Sequence, residues 1–271
     1  MKKEKVVNDQ YYTKPEVAKQ CFLLIKNEFK DIDLFIEPSA GNGSFYNLLP
    51  KNCRLGIDLD PKIENLLKQD FLEWETNLRK NICFVGNPPF GKNASLAIKF
   101  FNHSAKFGKY ICFILPRTFR KDSTIKKLNK QFHLKKEIIL EKESFNLADG
   151  TSYSVPCVFQ LWEKKNYERI NIEKSKIHED WTWVKFKDNP DYAIRRVGYN
   201  AGKIFRFNKE ISEASHYFIK CNLNTFNNFQ EMFKSIYSTD DLKTHKFDTS
   251  GNPSLSMTEI VEDYMNFITN K

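Results

Sequence analysis

No apolar run in this 271-residue chain approaches the roughly 20 residues needed to cross a bilayer. The opening MKKEKVVNDQYY has no signal-peptide core. Both absences point to a cytoplasmic protein without a membrane partner. The six cysteines (Cys21, Cys53, Cys83, Cys112, Cys157 and Cys221) show neither a CxxC nor a Cys/His ligand spacing, which argues against a zinc site and a disulfide scaffold. Several sit in apolar runs and are expected as buried, reduced thiols, so no metal is required. Histidine is scarce, and His103, His133 and His178 stand isolated, as surface or core residues do. Internal repeats and low-complexity linkers are missing as well. The one G-x-G turn, Gly41-Asn-Gly43, lacks the third glycine of a pyrophosphate-binding fingerprint, which counts against a dinucleotide cofactor.

What the chain does have is an uneven charge. The net charge is +9, yet residues 166–271 carry 15 Lys+Arg against 15 Asp+Glu. The first 165 residues hold the whole excess, with the densest patch at Arg117, Arg120, Lys121, Lys126, Lys127, Lys130, Lys135 and Lys136. A basic surface of this kind suits a polyanion, although a solvated helix face gives the same composition.

From Tyr11 to about Lys165, apolar strands alternate with helical stretches, the pattern of a parallel sheet with crossover helices. Pro15 to Phe29 has helical periodicity, and Thr13 with Glu16 has the spacing of a capping box. Strands are predicted at Leu34–Ile36, Cys53–Leu59, Ile82–Gly86, Tyr110–Leu115, Glu137–Leu140 and Val155–Trp162, and helices near 61–68, 94–106 and 123–132. After Trp162 the polar stretch EKKNYERINIEKSKIHED ends the alternation, placing a boundary near 165. Residues 166–271 read as a small α+β domain.

Three strand ends carry chemistry. Glu37, before the glycine turn, can accept from a ligand ammonium. Asp58 closes the second strand and can accept from two ribose hydroxyls, a role that Asp60 could share. A short carboxylate at Asp70, beside Phe71, can accept from an adenine amine. The strongest motif is Asn87-Pro88-Pro89-Phe90. An adenine amine is a poor nucleophile because its lone pair is delocalised into the ring. The Asn87 side-chain oxygen and the Pro88 carbonyl could accept its two hydrogens and draw the nitrogen towards tetrahedral geometry. Positioning and desolvation then matter more than a strong base. Two prolines fix φ and remove donors, and Phe90 offers a face on which an extruded base can stack.

These elements, in this order over roughly residues 8–165, resemble the γ-class S-adenosylmethionine-dependent adenine-N6 DNA methyltransferases. The resemblance implies a Rossmann-like class I methyltransferase fold with a seven-stranded sheet, followed by a recognition domain. It implies that Tyr12 and Thr13 contact the methionine part of the cofactor S-adenosyl-L-methionine, and that Glu37 with Ser39, Ala40 and Gly41 holds its methionine end. It implies further that Asp58 binds the ribose and Asp70 and Phe71 the adenine, and that Asn87 to Phe90 form the catalytic site, with Asn87 also among the cofactor-binding residues.

In such a fold the loop after Tyr110–Leu115 lies on the active-site face, so Arg117, Arg120, Lys121, Lys126 and Lys127 are expected to contact nucleic-acid backbone. The Asn146–Pro156 loop should border the same mouth. Double-stranded DNA is the expected substrate, with RNA as the alternative and a non-catalytic nucleic-acid-binding module as the competitor of another class. A cognate restriction nuclease is a partner the resemblance allows; target sequence and oligomeric state stay open.

Overall fold

The chain's structure, a computed structural model, describes all residues except 1–10, 142, 172, 239–243 and 250. Residues 8–10, the start of the stretch covered by the resemblance, thus lie outside the described residues. Two compact units divide the chain, Met1–Ile170 and Asn171–Lys271.

In the first unit the elements run β1 (Tyr12–Thr13), α1 (Pro15–Glu28), β2 (Leu34–Glu37), β3 (Arg54–Asp58), β4 (Leu67–Lys68), β5 (Ile82–Gly86), α2 (Ser95–Phe107), β6 (Tyr110–Pro116), α3 (Asp122–Ile125), β7 (Phe132–Ile139), β8 (Phe145–Asn146), β9 (Ser152–Tyr153) and β10 (Cys157–Lys164). Seven strands form one sheet in the order β4-β3-β2-β5-β6-β10-β7. All neighbours are parallel except where β10 inserts antiparallel between β6 and β7. This is a Rossmann-like seven-stranded sheet, the architecture that the resemblance implies.

Strand β6, with all seven residues buried, explains the uninterrupted apolar run YICFILP: a central strand covered on both faces needs no polar alternation. Strand order reverses between β2 and β5, and open α/β sheets bind ligands beyond the strand ends at such a point. A second small sheet, β1-β8-β9, pairs Thr13 with Phe145 and Asn146 with Ser152.

Local pattern misled in three places. Residues 61–68 are not a helix: Asn65 takes a left-handed conformation, and Leu67–Lys68 add to the sheet edge beside β3. The helix expected at 123–132 stops at Ile125. There Asn129 accepts the Gln131 N–H through its side chain (2.9 Å), turning the chain into β7. The Thr13–Glu16 capping box does not form. Thr13 is claimed by β1, and the N-cap of α1 is Lys14, which makes no side-chain cap bond.

The second unit comprises β11 (Trp181–Val184), β12 (Tyr192–Arg195), β13 (Ile204–Arg206), β14 (His216–Cys221), α4 (Leu223–Met232) and α5 (Met257–Thr269). Its antiparallel sheet, β11-β14-β12-β13, buries Trp181, Ile194, Ile204 and Ile219 with Phe229 and Met232 of α4 and Ile260 and Tyr264 of α5. It is a small α+β domain.

Arg169 lies beyond the boundary expected near 165 and closes the first unit. Its guanidinium donates to the carbonyls of Asn129 (3.2 Å), Ile125 (3.1 Å), Leu128 (3.3 Å) and Phe132, and sits 5.2 Å from the Trp162 ring. Hydrogen bonds from a charged donor contribute about 1.5–3 kcal/mol each and do not simply add. A chain ending at residue 165 should therefore unfold at lower denaturant than one ending at 170, and Arg169→Ala in the full chain should reproduce most of the loss. Urea titration of the three proteins checks this; equal midpoints would show that Arg169 does not hold the unit together.

Candidate active site

Beyond the ends of β2, β3 and β5 lies a cavity of about 560 Å³. Glu37 to Asn42, Asp58 to Asp60, Gln69 to Phe71 and Asn87 to Phe90 line it, together with Tyr11, Tyr12 and Thr13 from the small sheet. Every residue that the sequence assigns to catalysis or cofactor binding, from Tyr12 and Thr13 through Ser39, Ala40 and Gly41 to Asp70 and Phe71, is on this wall. The volume falls within the range of small-molecule sites, about 300–1,000 Å³.

The glycine turn is tied to the end of β3. Gly41 has a φ of +50° and donates its N–H to Asp58 Oδ2 at 2.7 Å, and Asp58 Oδ1 accepts from the Asp60 N–H at 2.9 Å. One carboxylate thus fixes two backbones and keeps further lone pairs. Asp60 is exposed and paired with Lys62. Asp70 spends one oxygen on the Leu72 N–H (2.8 Å), capping a short turn that seats the buried Phe71.

Glu37 is 3 % exposed, and its Oε2 accepts no hydrogen bond from the protein. Burial pushes its carboxyl well above the usual range, a backbone hydrogen bond at Tyr46 works against this, and the nearby Asp58 charge adds to it. Gly86 is constrained by the same residue: with φ at +142°, a Cβ there would lie 3.1 Å from Glu37 Cγ.

Asn87 follows directly. Its Nδ2 donates to the Tyr11 carbonyl at 3.2 Å, whereas its Oδ1 is buried and accepts nothing from the protein. The Ser39 hydroxyl donates to the Asn87 carbonyl at 3.2 Å. The loop is held from the other side by Phe90, whose carbonyl accepts the N–H groups of Leu96 (3.1 Å) and Ala97 (3.2 Å) at the start of α2. Thr13 Oγ1 is a third buried atom without a partner. Three residues of one cavity wall thus each carry a buried, unsatisfied polar atom. No group of His, Cys, Asp and Glu suited to a metal occurs among the described residues.

Sequence reasoning gave Tyr11 no role and reached Tyr153 only as part of the Asn146–Pro156 loop, none of whose residues lines the cavity. The two tyrosine rings stack at 5.0 Å and 9°, and Tyr11 stands 6.4 Å from Phe90. Only the pairing of β1, β8 and β9 brings them together, and nothing in the local pattern signals that pairing. Phe90 itself is only 9 % exposed, so it offers less of a face than expected.

The basic segment needs correction. Arg117 is 1 % exposed, so its head is not on the surface for a phosphate. Arg120 pairs with Glu137 at 2.9 Å in a chain that continues through Gln160 to Trp162, a structural use. Lys121 is half-buried, Lys126 and Lys127 are exposed, and none of the five lines the cavity. His103 is a core residue, bonded to the Trp74 carbonyl at 2.7 Å. No helix among the described residues is long and apolar enough to cross a membrane.

No protein-family model matches the sequence, and no curated protein does so. Solved structures do align with it. One, from Pyrococcus horikoshii and provisionally described as an RNA methyltransferase, shares 17% identity over 60% of this chain and 90% of its own, with a TM-score of 0.47. A protein from Thermoplasma acidophilum gives 17%, 60%, 94% and 0.44 for the same measures. A provisionally described methylase from Haemophilus influenzae gives 16%, 55%, 96% and 0.36. At such distances any functional reading rests on the site itself.

The buried Glu37 generates a stability prediction. In the window from the usual carboxylate range up to its raised value, the folded state holds a proton that the unfolded chain has lost. Stability therefore falls as pH rises through that window. Glu37→Gln removes the titrating group and should raise the melting temperature of the ligand-free protein at neutral pH, with the gain shrinking as pH falls towards 4. Melting curves across that range check it; a variant less stable than the parent at every pH would mean that Glu37 is satisfied as a carboxylate.

Proposed function

We infer that the first unit transfers a methyl group from S-adenosylmethionine to the N6 amine of an adenine in nucleic acid, with duplex DNA as the substrate. The observation that carries this reading is the state of Asn87, a residue of the cavity wall: its amide nitrogen is held by the Tyr11 carbonyl, and its oxygen is left as a buried, unsatisfied acceptor. An acceptor fixed in that way suits a neutral amine, which has two hydrogens to donate. A carboxylate in its place would suit a cation.

The residues present fit the cofactor. Glu37 offers an unsatisfied oxygen where an amino-acid ammonium would bring a charge-assisted donor, which would return the carboxyl to its ionised form. The remaining lone pairs of Asp58 suit a pair of ribose hydroxyls, and Asp70 with Phe71 offers an acceptor beside an aromatic wall. When bound, S-adenosylmethionine supplies a methyl group on a sulfonium, activated without metal or strong base. The chain's own work is to orient the acceptor. Asn87 Oδ1 and the Pro88 carbonyl take the two amine hydrogens, which directs the nitrogen lone pair away from the ring. Tyr11 and Phe90 flank the place where an extruded base would lie. Stacking on aromatic rings offsets part of the few kcal/mol lost on taking a base out of a duplex. Exposed Lys126 and Lys127 remain as backbone contacts from the basic segment; the second unit, with no net charge, is assigned to reading the target.

Asn87→Ala should lower methyl transfer at least a hundredfold, since two powers of ten correspond to about 2.7 kcal/mol of lost transition-state contact. Cofactor affinity measured by calorimetry should change only a few-fold. Radiolabelled methyl transfer to mixed DNA provides the rate; turnover near that of the parent would overturn the mechanism.

A further inference from the structure

The strands of the second unit carry cations and no acids. The cations are Arg195, Arg206 and Lys220, although Arg206 pairs with Tyr192 and so lies on the face that the helices cover. Of the acids on α4 and α5, Glu259 and Asp263 are buried, and Glu231 and Glu262 pair with Lys271 and Lys174. The helices cover one face of the sheet, and the strand register defines what occupies the other. Val184, Phe218, Ala193 and Phe205 are directly paired across β11, β14, β12 and β13, so they share that second face. Two residues along, Arg195 is paired with His216; two residues the other way, Lys220 is paired with Thr182. Lys203 Nζ lies 5.3 Å from the Phe205 ring on the same side.

Aromatic rings dominate this face. Phe186, Phe207 and Phe218 meet edge to face at 5.2–5.9 Å, and Phe205 contacts His216 at 6.1 Å. Phe186, Phe205 and Phe207 are only half-buried. Beyond the end of β11, where this face meets the start of α5, a hollow of about 320 Å³ opens, walled by Phe186, His216, Tyr217, Phe218 and Met257, with Lys185 and Lys187 beside it. The exposed Glu213 is the acceptor in its wall. A flat ring between aromatic walls, a carboxylate for an exocyclic amine, and lysines for phosphates describe a site for one unpaired nucleobase on its backbone.

We propose that the helix-free face of the second unit binds a single-stranded nucleic-acid segment, seating one unpaired base in the hollow at Phe186. The cations select the partner: Arg195, Lys203 and Lys220 on this face, with Lys185 and Lys187 beside the hollow, suit a polyanion. The partly exposed rings distinguish a base-bearing polyanion from an acidic peptide, because each base brings a π face of its own. This inference shares the nucleic-acid substrate with the proposed function and rests on it to that extent. Its test needs neither cofactor nor turnover.

Fluorescence anisotropy of the full chain, without cofactor, against a short labelled single strand of mixed sequence provides the measurement. Phe186→Leu keeps apolar volume but removes the flat ring, and should weaken binding roughly tenfold, whereas Phe186→Tyr should bind as the parent does. Lys185→Gln with Lys187→Gln alters exposed side chains only, and should flatten the slope of log K against log salt by about 1.4, at roughly 0.7 per phosphate contact on a single strand. The measurement involves neither cofactor nor turnover, so that a failed methyl-transfer assay does not bear on it. Unaltered binding in both the Phe186→Leu and the double-lysine variants would overturn the proposal. So would displacement of the strand by polyglutamate as effective as displacement by unlabelled oligonucleotide, which would mark the face as a docking surface for an acidic protein.

Discussion

A buried polar atom without a hydrogen-bond partner costs about 1–3 kcal/mol, and this fold gathers three of them, on Thr13, Glu37 and Asn87, around one cavity. The arrangement of the first unit follows from that constraint. Glu37 ends β2 and Asn87 follows β5, two strands that are neighbours because the sheet reverses its order between them. Their side chains therefore converge without any long loop to place them. The glycine at position 86 keeps the backbone close to Glu37, and Phe90, bonded to the first turn of α2, keeps the proline pair from drifting. The protein holds acceptors in place for donors it does not itself provide.

The N-terminal strand turns this geometry into a device. β1 is two residues long and has no stability of its own; it is held by β8 and by the Ser44 hydroxyl, which donates to the Thr13 carbonyl at 2.6 Å. The Tyr11 carbonyl just before it holds the nitrogen of the Asn87 amide and leaves its oxygen without a partner. The orientation of the central acceptor thus depends on a contact between residues 76 positions apart in sequence. The same small sheet carries Tyr153 onto Tyr11, so that the aromatic wall and the amide lock arise from one piece of backbone pairing.

That dependence explains what could be read from the sequence. Strand ends at Glu37, Asp58 and Asn87 were legible because apolar runs bounded by turns mark strands, and the topology of such sheets brings successive carboxyl ends together. The capping box at Thr13 was a sound local reading that lost to a non-local one: a residue recruited by a distant strand cannot also cap the helix behind it. The helix expected at 61–68 lost to sheet edge pairing in the same way, helped by Asn65, which tolerates a left-handed turn. Burial of Arg117 was illegible because composition counts charges without saying which of them face solvent. Tyr11 and Tyr153 carry no local mark at all.

The central claim is that the oxygen of Asn87 receives an adenine amine. Its most direct test is the identity of the methylated base. The purified chain should be incubated with isotopically labelled S-adenosylmethionine and with DNA or RNA in parallel, and each product digested to nucleosides for mass spectrometry. The account predicts label in N6-methyladenine nucleoside, from DNA in preference to RNA. Label in a methylated cytosine or on a ring carbon would contradict it, as would the absence of any labelled nucleoside from a protein that binds the cofactor.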